Sequence, residues 1–332
     1  MKIDLSVIVI GYNVEKYILR CLNSLLDQLV PESELLFVDD GSTDQTSVIV
    51  QQLFNSVSNI NCRYYYKQNG GANSARIYGF EQSNGSYITF IDGDDWVEGN
   101  YISKILQYIG DECDIGIFKY QNVNSENEFT PQKNIFNNIQ CNRDQFLDRV
   151  FKDIISHYFW DKIFKKKFLI ESGFCDIPKI TMGDDLAAHI KIGLRCPKVK
   201  CYQDVLYNYY NDGSGVSRKP GPKTAEIVNT LLYIEQIIKS EGLYERYVEL
   251  INFHYFRSFL FYVVKNKYGW TDVQKEIYKA WKSKNININK NKYIQEYMSN
   301  TKKELMLAKI YDFNSVLGRI AAFVYLKLRR GY

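Results

Sequence analysis

The chain has 332 residues, with 42 Lys and Arg against 38 Asp and Glu for a net charge of +4, and 45% apolar against 24% charged residues. That balance excludes a disordered or membrane-spanning polypeptide and supplies enough apolar material for one large domain and a smaller second region. Basic residues collect after position 160, which suits either an anionic partner or a solvated basic face.

Residues 1–10 show no basic-then-apolar leader with a small-residue cleavage site, and 5–10 read directly as a buried strand. Tyr17, Cys21, Leu25 and Leu29 then recur every four residues, with Leu22 and Leu26 beside them. This stripe predicts a helix packed on that strand. Further strands are predicted over 35–38, 63–66, 87–91 and 115–120, with helical segments between the first four, so the chain reads as stacked βαβ units with a mostly parallel sheet. Residues 121–142 are rich in Asn, Gln and Glu without periodicity and read as a connecting excursion. Gly and Pro in 219–222 mark a hinge, after which Ile227, Leu231, Ile234 and Ile238 share one helical face. The expected organisation is an α/β domain over 1–218 and a helical region over 219–332. No run of eighteen apolar residues occurs, and the seven cysteines lack CxxC spacing, which disfavours disulfides and zinc and suits a reducing cytoplasm.

In open α/β sheets ligands bind beyond the carboxyl ends of the strands, so the turns there are the places to look. After the second strand comes Asp39-Asp40-Gly41-Ser42-Thr43-Asp44, which suits a ligand crevice or simply a helix cap. After the fourth comes Asp92-Gly93-Asp94-Asp95-Trp96. Its glycine lets Asp92 and Asp94 approach one point, and oxygen ligands so placed suit Mg²⁺ or Mn²⁺, although an ordinary acidic turn reads the same way. Between them, Asn69-Gly70-Gly71 opens a helix whose Arg76 could reach a nucleotide base or phosphate, or lie on the surface. Further on, Met182-Gly183-Asp184-Asp185-Leu186 sets two acids at a helix start, as proton-transfer groups or as caps that favour the helix dipole.

Taken in order with Val7-Ile8-Val9-Ile10-Gly11-Tyr12-Asn13, the three turns of the first hundred residues closely resemble the inverting glycosyltransferase family 2, and the resemblance extends over residues 3–215. It implies a GT-A fold, a nucleotide-sugar donor (UDP-linked), a Mn²⁺ or Mg²⁺ cofactor, and transfer to an acceptor hydroxyl in bacterial-type polysaccharide, glycolipid or glycoprotein glycan synthesis. Tyr12 and Asp40 would then contact the base, and Arg76 would support the nucleotide. Asp92 and Asp94 would form the DxD element that holds ribose and metal, with Asp94 the metal ligand and Asp95 orienting the loop. Gly183-Asp184-Asp185 stands where the family has Gly-Glu-Asp, which makes Asp185 the base and Asp184 the replacement for the Glu. Trp160-Asp161-Lys162 is similar to the family's Trp-Asn-Lys element, implying an indole face for a sugar ring and an ammonium for the donor phosphate; a core tryptophan beside surface lysines is the plainer alternative. The stretch 207–218 resembles the segment that closes over the diphosphate and brings Ser217 and Arg218 to it. One departure is Ile77, where the family follows the arginine with Asn.

The carboxyl-terminal residues 316–330 are apolar, aromatic and basic, too short a run to span a bilayer. They suit a helix lying on an anionic membrane surface at the inner face of the cell membrane, or one packed against another subunit of a homo-oligomer. The first would fit a lipid-linked rather than a free glycan acceptor. His157, His189 and His254 are too dispersed for a metal set, and the basic residues lack a recognition-helix pattern, so nucleic acid is not an expected partner. Two rival readings remain. A sugar-phosphate nucleotidyltransferase would want a GxGxR loop after the first strand, which Gly11-Tyr12-Asn13-Val14 does not supply. A catalytically silent nucleotide- or glycan-binding homologue is opposed by the joint presence of Asp92, Asp94 and Asp185.

Overall fold

The structure is a computed structural model that describes residues 2–57, 61–124, 128–131, 141–180, 182–195, 198–211, 222–265, 271–299 and 301–329. The chain divides into two compact units, Met1–Arg218 and Lys219–Tyr332. The first is a mixed α/β unit that runs β1 (Leu5–Gly11), α1 (Ile18–Leu26), β2 (Ser33–Asp39), α2 (Thr46–Ser56), β3 (Cys62–Tyr66), α3 (Ala72–Gln82), β4 (Tyr87–Asp92) and β5 (Trp96–Val97). It continues with α4 (Tyr101–Ile109), β6 (Ile115–Asn124), β7 (Phe129–Pro131), α5 (Arg143–Phe151), β8 (Lys162–Lys165), α6 (Lys166–Ser172), α7 (Asp184–Gly193) and β9 (Val199–Asn211).

Every residue of β1 and β2 is buried, as expected of central strands covered on both faces and written as near-continuous apolar runs. On one face α1 buries Ile18, Cys21, Leu22, Leu25 and Leu26; the helix is shorter than the stripe from Tyr17 to Leu29 that predicted it. The sheet order among the described residues is β3-β2-β1-β4-β8-β6-β9-β5, with β7 beside β6. From β3 to β4 all pairings are parallel. Beyond β4 the sheet mixes, because β8 runs antiparallel to both β4 and β6 while β9 is parallel to β6. The expected excursion after residue 120 begins later, since Gln121 to Asn124 continue β6 and pair with β9.

The amino-terminal ends of the parallel strands are pinned by a buried carboxylate. Glu34 lies opposite Ser6 in the β1–β2 register. It accepts hydrogen bonds from the Ser6 hydroxyl at 2.5 Å, the Asn84 backbone N–H at 2.6 Å and the Asn84 side-chain amide at 3.1 Å, and it pairs with Arg63. Burial by itself would push the Glu34 carboxyl up, yet these donors outweigh it and hold the group below the usual carboxylate range. A depressed carboxyl stabilises the fold above its unfolded pKa and loses that contribution as the pH falls. Glu34→Gln is therefore expected to cost about 1–3 kcal/mol at pH 7. In urea unfolding, its deficit relative to the parent should shrink as the pH drops below the carboxylate range; a deficit independent of pH would contradict the assignment.

The second unit is helical, with α8 (Glu226–Ser240), α9 (Tyr244–Phe259), α10 (Asp272–Ser283), α11 (Lys292–Met298), α12 (Lys302–Phe313) and α13 (Ser315–Arg329). Leu231, Ile234 and Ile238 are buried on α8 as their spacing predicts, while Ile227 is half-buried. The core centres on Trp281, whose ring stacks on Phe259 at 5.1 Å and whose indole N–H donates to Asp312 at 2.9 Å. Among the described residues no helix is long and apolar enough to cross a membrane.

Candidate active site

In the parallel register Gly11 lies beside Asp39, and Ile10 beside Asp92. The turns that follow β1, β2 and β4 therefore emerge side by side, with the ends of β2 and β4 about 10 Å apart across β1. Backbone and side chain stitch the first two together. Asn13, in the left-handed region at φ 55°, accepts from the Thr43 N–H at 2.8 Å, and its own N–H donates to the Ser42 hydroxyl at 3.0 Å. The Asp39 carboxylate accepts from the Ser42 N–H and from the Tyr64 hydroxyl. Gly41, at φ +82°, could carry a Cβ only 2.7 Å from the Asn69 nitrogen, so glycine is required there.

Asp40 is buried, and its carboxylate accepts from the Lys67 ammonium at 2.5 Å and from the N–H groups of Gly70 and Gly71 at 3.0 and 2.8 Å. It thereby holds the loop that opens α3. Tyr12, at the end of β1, is exposed at 48%.

Five residues into α3, Arg76 turns inward rather than toward the rim. One terminal nitrogen donates to Asp185 Oδ1 at 2.8 Å and the other to Asp92 Oδ1 at 3.1 Å, and the guanidinium lies 5.0 Å from the Phe159 ring centroid. The sequence expectation had Arg76 supporting a nucleotide; its two outer nitrogens tie the acidic turn after β4 to the start of α7. Burial opposes the guanidinium charge, and the carboxylates of Asp185, Asp92 and Asp184 more than offset it, raising its pKa.

The acidic turn is held from both sides. Gly93 N–H donates to the Ile10 carbonyl, and the Arg20 guanidinium donates to the Asp94 carbonyl at 2.8 Å while lying 3.8 Å over the Trp96 ring. Asp95 is buried. It accepts from the Tyr207 hydroxyl and from the Tyr210 N–H, both at 2.6 Å, and the same hydroxyl accepts from the Asp92 N–H at 3.2 Å. Burial pushes the Asp92 and Asp95 carboxyls up; neighbouring carboxylates add to this, and Arg76 opposes it at Asp92.

Two acids lie at the start of α7, where Gly183 enters the helix at φ +78°. Burial and the Asp185 charge push the Asp184 carboxyl up to about 7, against the opposing pull of Arg76. Behind them His189 is buried and neutral, its pKa driven down by burial and by Lys162. Its Nδ1 lies 2.8 Å from the Asp185 carbonyl, which can only accept, so Nδ1 carries the proton.

Trp160 and Lys162 depart from the expected roles. Trp160 is 3% exposed, with the Tyr207 and Tyr158 rings parallel to it at 4.6 and 4.7 Å, so no indole face remains for a sugar. Lys162 is fully buried, and its ammonium donates to Asp161 at 2.6 Å, the Tyr158 carbonyl at 2.7 Å and both oxygens of Ser156 at 2.9 Å. Three N–H groups facing four oxygens leave nothing to meet a phosphate. Both residues build the wall behind the site. Ser217 and Arg218 lie outside the described residues. Sequence reasoning missed Lys67 and Arg20, of which only Lys67 carried a local signal, as a basic residue directly after β3; Tyr207 lay in the stretch 207–218 but without its role of holding the acidic turn.

The donor set is all oxygen, which fits a hard divalent cation. Among the described residues no three His, Cys, Asp or Glu side chains gather as a self-contained metal cage. Asp92 and Asp94 on one glycine turn match instead the mode in which Mg²⁺ takes one or two carboxylates and completes its shell with water and substrate phosphates.

Two measurements probe this geometry. Arg76→Met leaves Asp92 and Asp185 facing each other without a counter-charge and should cost about 3 kcal/mol of unfolding free energy in urea; an unchanged midpoint would contradict the bridge. An Asp whose folded pKa is raised contributes stability at low pH that is lost as the pH climbs through that pKa. Comparing metal-free parent with Asp184→Asn isolates this contribution: the parent's thermal stability relative to the variant should fall between pH 4 and about 7.

The family model for Glycosyl transferase family 2 matches residues 6–171. Glycosyltransferase GlyA of Streptococcus pneumoniae is 30% identical over 226 residues, 64% of this chain and 31% of GlyA. Cholesterol galactosyltransferase of Borreliella burgdorferi is 23% identical over 308 residues, 86% of this chain and 82% of that protein. The crystal structure of Staphylococcus aureus TarS 1–349 in complex with UDP-GlcNAc superimposes with a TM-score of 0.71 at 22% identity, covering 98% of this chain and 92% of that one, which is a likeness of fold. The chain spans only 31% of GlyA, and between that and 63% of the next curated relatives it matches.

Proposed function

The chain belongs to glycosyl transferase family 2, and on that premise we propose that it moves a sugar from a UDP-linked donor to an acceptor hydroxyl with inversion, in the synthesis of a bacterial-type polysaccharide, glycolipid or glycoprotein glycan. The observation that supports this most is the Arg76 bridge, which ties a carboxylate of the metal-type turn, Asp92, to a carboxylate from a separate helix, Asp185. An inverting transfer needs those two functions on different elements, one at the leaving group and one at the attacking hydroxyl.

In this reading the Asp185 carboxylate accepts the proton of the acceptor hydroxyl as its oxygen bonds to the anomeric carbon. The bond from that carbon to the diphosphate oxygen breaks, and its electron pair leaves with the diphosphate. A divalent ion, Mn²⁺ or Mg²⁺, would be held by Asp94 with Asp92 alongside and supplies positive charge against the leaving diphosphate. Tyr12 at the rim and the Asp40-bound loop of Gly70 and Gly71 flank the nucleotide. Asp184 stands beside the base and Asp95 keeps the turn in place.

UDP as the carrier is supported by the UDP-GlcNAc complex of TarS. An acceptor at a lipid surface is supported by the match over most of the chain to a cholesterol galactosyltransferase. That choice places the enzyme in the cytoplasm, peripheral to the inner face of the membrane, with a homo-oligomer as the other use of its carboxyl-terminal helix.

The test is release of UDP from a panel of UDP-sugars by the purified chain with Mn²⁺, over soluble and lipid-linked acceptors. Asp94→Ala should abolish metal-dependent UDP binding. Asp185→Asn should keep UDP binding and lower transfer by roughly 10²–10⁴-fold. The reverse pattern would overturn the two roles, and UDP binding without release from any donor would make the protein a silent homologue.

A further inference from the structure

The last helix of the chain is amphipathic the wrong way round for a globular surface. Helix α13 lays its small residues against α12: a Cβ on Gly318 would meet the Tyr311 backbone and ring at 2.3–2.6 Å, and Ala322, one turn on, is buried. Gly318 therefore permits an approach that no larger residue would allow. The opposite side of the helix holds Val316, Leu317, Ile320, Phe323 and Val324, each 50–61% exposed. Their spacing of one, four, seven and eight residues from Val316 keeps them on one arc. Phe313, at the end of α12 just before the Asn314 cap of α13, is 86% exposed.

Single exposed apolar residues are ordinary, but a cluster of large ones on one helix arc marks an interaction surface. The charge of this segment is of one sign in the sequence: Arg319, Lys327, Arg329 and Arg330 follow Phe313, and residues 313–332 hold no Asp or Glu. Among the described residues no helix is long and apolar enough to cross a bilayer, but an apolar arc on a segment whose charges are all basic is what a helix lying in a headgroup layer presents.

We propose that α13 docks on an anionic lipid surface, with Val316, Leu317, Ile320, Phe323 and Val324 entering the acyl boundary and the basic residues meeting lipid phosphates. Charge selects this occupant over a second copy of the chain. A twofold contact through the same face would bring two basic, acid-free segments together, a like-charge juxtaposition that costs affinity. An anionic surface instead attracts each Lys or Arg near it, an attraction that salt screens. The inference rests on the glycosyltransferase reading only for its purpose, bringing the enzyme to a lipid-linked acceptor; the docking itself is measured without any transfer.

The experiment floats the full chain with vesicles of phosphatidylcholine alone or of phosphatidylcholine and phosphatidylglycerol in equal parts, at low and high salt. UDP binding and lipid-free sedimentation are recorded for every variant. The expected result is association with the anionic vesicles at low salt, at least about ten-fold weaker on neutral vesicles or at high salt. The paired variant Ile320→Asp with Phe323→Asp should lose association on both, and Arg319→Glu with Lys327→Glu should lose it on the anionic vesicles, while each keeps UDP binding. Parent protein that binds UDP yet stays in the bulk with every vesicle would overturn the proposal and leave the enzyme assignment intact. Equal binding to neutral and anionic vesicles would overturn its charge basis. A lipid-free dimer that the Asp pair dissociates would assign the face to a second copy, and loss of UDP binding by the parent would count against the nucleotide-sugar reading alone.

Discussion

A single buried guanidinium sets the geometry of the first unit. Arg76 joins Asp92, at the end of a central strand, to Asp185, at the start of a helix far along the chain. Removing two carboxylates and a guanidinium from water is costly unless each keeps its partner, so the three positions are fixed relative to one another. Burial first, and the neighbouring carboxylates second, raise the carboxyls of Asp92, Asp95 and Asp184. A site of this kind can accept a cation alongside Arg76.

The walls around the triad are aromatic and come from the segment just before β8. There Phe159 packs against Arg76 and His189, while Tyr158 and Trp160 join Tyr207 and Tyr209 in an aromatic stack. Tyr207 then carries the stack into the acidic turn through its hydroxyl. The stretch that reads as a substrate surface in one dimension is a load path in three. The sealed ammonium of Lys162, sharing Asp161 and Ser156, closes the end of that wall.

The parts of the fold legible in the sequence were those written in continuous apolar runs. β1, β2 and β4 are so written, and the turns at their ends emerge together as parallel strands require. β9 was not legible, because its sequence mixes Lys, Gln, Asp and Asn among tyrosines without a continuous apolar run, and its partner β6 lies some eighty residues away. The mixing of the sheet beyond β4 was hidden for the same reason, since the direction of β8 is set by a pairing and not by composition. Within the site, the sequence put the carboxylates on turns that the structure brings close together, but not the orientation of the bases. Arg76 and Lys162 look like surface cations until the acids that bury them, Asp185 and Asp161, are seen to face them. For Arg76 that acid is more than a hundred residues distant, beyond any local periodicity.

Two of the four tryptophans of the chain border the acidic turn. Trp96 lies beneath the Arg20 guanidinium that grips the Asp94 carbonyl, and Trp160 lies against the tyrosine whose hydroxyl holds Asp92 and Asp95. An indole's emission colour responds to the electric field across its ring, so a positive charge arriving at the acidic turn would alter it. Through these two contacts the turn is coupled to an intrinsic optical gauge, readable without a label.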